Sequence, residues 1–141
     1  MITFDFDDTL TRPIWDKEGL WFEPSSNPNY DSFTRLKSFH EQGEEIRIVT
    51  TRFNTRWSRL EIVDFVDSYQ LPISAIHCTE GELKGETLFK LGSRLHFDDS
   101  SEEAENNLKF QIPTMVVSYR FDEAKLAEIC EFNLVKDRAK A

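Results

Sequence analysis

Short β-rich segments alternate with segments of helical spacing along this 141-residue chain, and this alternation limits its fold more than any other feature. Apolar, β-rich runs predict strands over 1–6, 45–50, 73–78, 94–97 and 114–119. Apolar steps of three and four, with polar or glycine ends, predict helices over 31–42, 55–69, 83–91, 101–110 and about 122–132. Such alternation favours parallel βαβ units. We therefore expect an α/β domain whose central parallel sheet, of about five strands, is covered by helices on both faces.

Residues 11–30 interrupt the alternation with three prolines, Gly19 and four aromatic side chains. The segment PIW-DKEG-LWF within this stretch predicts a β-hairpin with a four-residue turn. The stretch is too short to form an independent domain. We therefore expect a flap over about 11–23, carried by a single domain over 1–141.

The chain carries 26 Asp and Glu against 17 Lys and Arg, which gives a formal net charge of −9. An acidic surface repels phosphate backbones, so a protein that wraps duplex nucleic acid is disfavoured. No apolar run exceeds three residues, whereas a membrane helix needs about 20, and no signal peptide is recognisable. Cys78 and Cys130 are too few for a disulfide framework or a zinc site. We expect a soluble protein of the reducing cytoplasm, with no membrane partner.

Polar residues follow the predicted strands at the edge where open parallel sheets bind ligands. They comprise carboxylates, hydroxyls and two cations: Asp5, Asp7, Asp8, Thr9, Thr50, Thr51, Arg52, Lys84, Asp98, Asp99 and Ser100. Asp5 and Asp7 share a face of an extended strand, with Cα atoms roughly 7 Å apart. Asp98 or Asp99 would complete an oxygen-only cluster whose mutual repulsion a hard cation such as Mg²⁺ relieves. Alternatively, Asp8 and Ser100 only cap helices and the acids are solvated, but two acidic pairs at adjacent strand ends favour the metal site.

Three segments in chain order resemble the motifs of a known enzyme family. ITFDFDDTLT, IRIVTTR and KGETLFKLGSRLHFDDS are similar to the four motifs of the haloacid dehalogenase superfamily of phosphohydrolases. Those motifs are Asp-x-Asp-x-Thr after an apolar strand, a strand ending in Thr, a Lys, and a strand ending in an acidic pair. The resemblance covers about residues 1–101 and implies a Rossmann-like three-layer αβα domain with a flap after the first strand. The short flap and the short stretch between Thr50 and Lys84 indicate a capless member, because neither holds the cap domain that many members carry.

The resemblance implies a Mg²⁺-dependent phosphomonoester hydrolase that acts through an aspartyl-phosphate. Asp5 would be the nucleophile, and Asp7 would protonate the leaving oxygen and then deprotonate the attacking water. Thr50 would hydrogen-bond a phosphoryl oxygen. Lys84, rather than Lys90 near the end of its helix, would neutralise the nucleophile and the transferring group.

The same resemblance implies the metal ligands. Mg²⁺ would be held by Asp5, the backbone carbonyl of Asp7 and the acidic pair, with Asp99 as a direct ligand and Asp98 bound directly or through water. We expect substrate contacts from Thr51 and Arg52, and from Trp15 and Trp21 of the flap. These tryptophans either stack on a planar leaving group or fold onto the domain. His96 is expected to pack away from the neighbouring acid.

Several functions fit these residues. The acidic chain favours a small phosphorylated metabolite, such as a nucleotide or sugar phosphate, as substrate. A polynucleotide 3′-phosphatase or another macromolecular phosphatase is the alternative, because the flap is aromatic and cations lie at Arg12, Arg52, Arg56 and Arg59. A non-enzymatic receiver-like phospho-acceptor and a phosphotransferase or mutase are further alternatives. The resemblance to capless members also implies that a homo-oligomer can cover the open cleft.

Overall fold

The computed structural model describes residues 1–137. Its elements follow in the order β1 (Ile2–Phe4), β2 (Thr11–Asp16), β3 (Trp21–Pro28), α1 (Tyr30–Glu41), β4 (Ile46–Thr50), α2 (Arg56–Ser68), β5 (Ala75–Cys78), α3 (Gly85–Leu91), β6 (Leu95–Asp98), α4 (Ser101–Leu108), β7 (Thr114–Asp122) and β8 (Ala127–Val135). The fold is α/β, with a mostly parallel central sheet of six strands flanked by four helices, as in a Rossmann-like three-layer fold.

The six-stranded sheet has the order β5-β4-β1-β6-β7-β8, and β2 and β3 form a separate hairpin. All five predicted strands are present and pair in parallel. The first strand lies between β4 and β6, with Phe4 in register with Ile48 and Phe97. Residues that follow β1 therefore lie at the middle of the carboxyl edge of the sheet.

The predicted helix over about 122–132 is wrong. Residues 123–126 form a turn, and β8 then runs antiparallel to β7, with Val117 opposite Phe132 and Tyr119 opposite Cys130. The run DEAKLAEI is rich in good helix formers, but propensity is a weak guide where packing decides. Cys130 and Phe132, two apart on one face of the strand, pack against the core instead. This strand makes the sheet one strand wider than expected.

The predicted flap is present as the β2–β3 hairpin. The Asp16 carboxylate accepts hydrogen bonds from the backbone N–H groups of Glu18 and Gly19, which fixes the turn. Pairing continues to Thr11 opposite Pro28, so the hairpin extends past the predicted end at residue 23.

The main core lies between the sheet and helices α1 and α2. Phe4 and Phe97 stack with ring centroids 4.3 Å apart at its centre, and Leu36 and Ile62 reach it from the two helices. This packing fixes the central strands whose ends carry the site. Within residues 1–137, none of the helices has the length and apolar character needed to cross a bilayer.

Candidate active site

Three predicted site residues lie at the ends of three adjacent strands. Asp5 follows β1, Thr50 ends β4 and Asp98 ends β6, and both β4 and β6 flank β1. The backbone N–H of Asp5 donates to the carbonyl of Phe97 at 2.8 Å, so the chain after β1 stays aligned with β6. All three side chains are buried. The structure thus brings together residues that are up to 93 positions apart in the sequence.

Lys84 links two of these carboxylates. Its Nζ lies 2.9 Å from Asp5 Oδ1 and 2.5 Å from Asp98 Oδ2, and its side chain is only 2% exposed. Burial disfavours the charged ammonium, but the two carboxylates more than compensate and raise the pKa of Lys84 above its ordinary value. Lys90, by contrast, forms an exposed i,i+4 ion pair with Glu86. The structure therefore places Lys84, and not Lys90, at the site.

The backbone also holds Lys84 in place. Lys84 directly precedes the first residue of α3, and its backbone N–H donates to Glu103 Oε2 of α4 at 3.0 Å. The next residue is Gly85, and no larger residue fits there, because a Cβ would lie 2.4 Å from the ring of Phe110. The start of α3 therefore lies close to the end of α4 and the turn after it, and the Glu103 carboxylate of α4 reaches the Lys84 backbone.

Asp98 accepts hydrogen bonds from three donors. Its Oδ2 accepts from Lys84 and lies 2.9 Å from His96 Nε2, and its Oδ1 accepts from the backbone N–H of Ser100 at 3.1 Å. Burial favours the protonated acid, but Lys84 and His96 hold the pKa of Asp98 below its ordinary value. The expectation that His96 packs away from the acid is wrong, because residues two apart on a strand share a face.

The third member of the acidic cluster is Asp99. One oxygen from each of Asp5, Asp98 and Asp99 lies within 4.8 Å of the others. Burial and the neighbouring Asp98 raise the pKa of Asp5 well above its ordinary value, although Lys84 opposes the shift. Asp99 is exposed as a whole residue, but its carboxyl group lies against the protein. The resulting loss of solvent raises the pKa of Asp99 to about 6.

This cluster fits a hard divalent cation. Its donors are all oxygen. Burial first, and then the nearby Asp98 charge, raise the pKa values of Asp5 and Asp99, and a bound cation would offset both effects. Oxygen ligands in small number suit Mg²⁺. Because Asp98 already accepts three hydrogen bonds, Asp99 and Asp5 have the freer oxygens for a metal.

Asp7 lies apart from this cluster. Its carboxylate forms a bidentate pair with Arg52, with Nε–Oδ2 and Nη2–Oδ1 distances of 2.8 and 2.7 Å. Arg52 also donates to Glu61 at 3.2 Å. A cavity of about 400 Å³ between the flap and α2 is lined by Asp7 and Arg52 together with Ser25 and Ser26 of the flap. The Asp7 side chain therefore faces a cavity with a volume in the range of small-molecule sites.

Thr50 and Thr51 begin the loop after β4. Thr50 is buried, and its Oγ1 accepts from the backbone N–H of Arg52 at 3.2 Å, which positions Arg52. Thr51 has an exposed side chain, and its carbonyl accepts from the backbone N–H of Gly81 at 2.7 Å. These bonds connect the loop after β4 with the segment that leads to Lys84.

The turn after Asp5 is fixed by a partner that sequence analysis missed. Asp8 has the left-handed backbone angle φ 59°, and the hydroxyl of Tyr119 donates to the Asp8 carbonyl. Thr9 Oγ1 lies 3.4 Å from Asp5 Oδ2 on the same turn. Tyr119 belongs to β7, so only the pairing of β7 with the sheet brings it here. No local pattern in the sequence indicates this contact.

The two flap tryptophans differ in environment. Trp15 stacks on Phe121 of β7, with centroids 5.3 Å apart and an interplanar angle of 11°, and it also contacts Phe22. Trp21 is 58% exposed and covers the turn at Gly19. Trp15 thus folds onto the domain, and Trp21 keeps a free surface.

No protein-family model matches the chain, and no curated protein is significantly similar to it in sequence.

Proposed function

We propose that this protein is a Mg²⁺-dependent phosphomonoester hydrolase of the haloacid dehalogenase type that acts through an aspartyl-phosphate. The observation that carries the proposal is the buried Lys84 ammonium, which contacts both Asp5 and Asp98 at the middle of the carboxyl edge, beside Asp99. A buried cation between carboxylates, next to an oxygen-only cluster, suits the binding of a phosphoryl group. The order of the four motifs in the sequence supports the same reading.

Each site residue has its own role in the proposed reaction. A carboxylate oxygen of Asp5 attacks phosphorus, and the bond to the leaving oxygen breaks. Asp7 has to leave its ion pair with Arg52 and take up a proton before it can donate that proton to the leaving oxygen. Asp7 then takes a proton from water, which attacks the same phosphorus and releases inorganic phosphate and Asp5. Lys84 and the Thr50 hydroxyl stabilise charge on the phosphoryl oxygens. Mg²⁺, held by Asp5 and Asp99, would add positive charge there.

The cavity beside Asp7 favours a small leaving group. Its volume of about 400 Å³ is in the range of small-molecule sites. Glu61 and Asp64 also line it, and the guanidinium of Arg52 is already paired with Asp7 and Glu61. The carboxylates of the cavity lining therefore outnumber its cation, and this negative charge repels the many phosphates of a polynucleotide. We propose a small phosphorylated metabolite as substrate.

The receiver-like alternative is less well supported. Receiver domains have the parallel strand order 2-1-3-4-5. Numbered by position along the chain, the parallel strands here follow the order 3-2-1-4-5, and the first strand, not the third, precedes the candidate phospho-acceptor Asp5.

The first test measures phosphate release from a panel of phosphomonoesters, with Mg²⁺ and with excess chelator. We expect activity that requires Mg²⁺ and that falls by several orders of magnitude in Asp5→Asn, because the amide keeps the shape but is no nucleophile. Asp67→Asn, at an exposed position of α2, is the matched control and should behave as wild type. Substantial activity in Asp5→Asn would exclude the covalent mechanism.

A second test addresses Asp7. Asp7→Asn removes the group that activates water, so the phosphoenzyme should accumulate when the leaving group, such as nitrophenol, needs no protonation. Rapid-quench labelling with radioactive substrate measures this. The absence of trapped phosphoenzyme in an otherwise folded variant would contradict the role of Asp7.

A further inference from the structure

His96 is a buried side chain to which the proposed reaction assigns no role. Its ring is fully buried on β6, with Nε2 2.9 Å from Asp98 Oδ2 and Nδ1 2.8 Å from Thr3 Oγ1. Thr3 Oγ1 lies in turn 2.8 Å from Ser93 Oγ. Both ring nitrogens therefore have partners, and the ring orientation is fixed.

The partners determine where the ring carries its hydrogen. The Asp98 carboxylate, which also accepts from Lys84, offers no hydrogen, so Nε2 must be the donor. Nδ1 then accepts from the hydroxyl of Thr3 in the neutral ring, and Ser93 contacts the oxygen of that hydroxyl. The bonds form one connected chain from Ser93 to Asp98.

Asp98 connects this series of hydrogen bonds to the reacting centre. Its Oδ2 receives both the His96 ring and the Lys84 ammonium, and the same ammonium contacts Asp5 Oδ1 at 2.9 Å. A lysine ammonium is a point charge on a flexible stem, so its position depends on the groups that receive it. The backbone N–H of Ser100 holds Oδ1, and the His96 ring supplies the second fixed contact, at Oδ2. Without that second contact the carboxylate could rotate about the Ser100 bond and move the ammonium away from Asp5.

We propose that His96 is a positioning residue, whose Nε2–H fixes the Asp98 carboxylate and thereby holds the Lys84 ammonium against Asp5. Its effect on turnover rests on the proposed phosphatase function. Its hydrogen placement does not, and it is tested separately. Partners of this kind, one step removed from the reacting groups, typically change activity by about 10–100-fold when removed.

The test compares two polar replacements of similar character. The amide nitrogen of His96→Gln reaches roughly as far as Nε2 and can still donate to Asp98, whereas the shorter side chain of His96→Asn cannot. We expect kcat within about threefold of wild type for His96→Gln and about 10–100-fold lower for His96→Asn, with KM unchanged in both. Equal losses in the two variants, or a wild-type kcat in folded His96→Asn, would overturn the proposal.

A control separates positioning from stability. Thr114 lies opposite His96 on the neighbouring strand, and its buried Oγ1 accepts from Asn107 Nδ2 at 2.9 Å. Thr114→Val should lower the melting temperature and leave kcat unchanged. If Thr114→Val lowers kcat as much as His96→Asn does, activity follows stability and the proposal is overturned.

Nitrogen-correlated NMR spectra of the three imidazoles provide a readout that needs no activity. We expect a hydrogen on Nε2 of His96, with the signal assigned by its loss in His96→Gln. A ring that carries hydrogen only on Nδ1 would overturn the proposal. If the wild type hydrolyses no phosphomonoester but shows the Nε2 hydrogen, the phosphatase function fails while the arrangement around His96 stands.

Discussion

Two regions border the carboxyl edge of the sheet, and they are held together by different forces. The first is the charge network of Asp5, Lys84, Asp98 and His96, which is almost fully buried. The second is the contact between the flap and the ribbon, which we define as residues 117–122 of β7 with 127–132 of β8. The ribbon extends beyond the last β6–β7 pair, Asp98 with Val116, and so reaches the flap.

Aromatic stacking and a few polar bonds hold the flap to the ribbon. Trp15 lies on Phe121, Phe22 lies 6.2 Å from Tyr119 between ring centroids, and Arg12 donates to the carbonyl of Glu128 at 2.8 Å. Apolar contacts weaken gradually when a side chain is trimmed, whereas a buried charge that loses its partner is strongly unfavourable. A single substitution in the charge network should therefore lower the free energy of unfolding strongly. A substitution in the flap should lower it in proportion to the apolar area removed.

The largest expected effect on stability is that of Lys84→Met. The substitution leaves Asp5 and Asp98 buried without their cation, which should lower the free energy of unfolding by about 3–5 kcal/mol. Urea unfolding measures this, with Lys90→Met at an exposed ion pair as the control that should change little. Mg²⁺ should recover part of the loss. A Lys84→Met protein as stable as Lys90→Met would show that the network does not depend on its cation.

Trp15→Ala should have an intermediate effect. It removes the stack on Phe121 and the contact with Phe22, for an expected loss of about 1–3 kcal/mol, while Trp15→Phe should retain most of the stability. Because the flap as a whole loosens, KM should change similarly for all substrates. An increase in KM confined to nucleotides would instead indicate that Trp15 contacts the substrate.

The smallest effect on stability is expected for Trp21→Ala. The side chain is 58% exposed, so the melting temperature should not change. If its free face stacks on a base, KM for a nucleotide should rise about fivefold, since one partial stack contributes about 1 kcal/mol, while acetyl phosphate is unaffected. If the KM for the nucleotide is the same in Trp21→Ala as in wild type, the support for a nucleotide leaving group is lost.

Local sequence patterns predicted the five parallel strands, the flap and the site residues at the strand ends. Those predictions depend on features close together in the chain, such as the apolar run before Asp5 or the turn at Asp16. The helix predicted over 122–132 failed because Ala, Leu, Glu and Lys favour a helix locally, whereas pairing with β7 and burial of Cys130 and Phe132 favour a strand. The alternation of Cys130, Phe132 and Leu134 was the signal available for that strand.

The sequence by itself determined which residues carry charge at the carboxyl edge, because strand ends and side-chain types are local properties. Only the tertiary structure decided how those charges are paired. It joined Lys84 to Asp5 and Asp98, placed Asp7 on Arg52, and brought His96 and Tyr119 to the site. The physical reason is that a buried charge needs a partner, and the packing of strands and helices distant in the sequence decides which partner lies within reach. The residues next to the charge in the sequence do not indicate that partner.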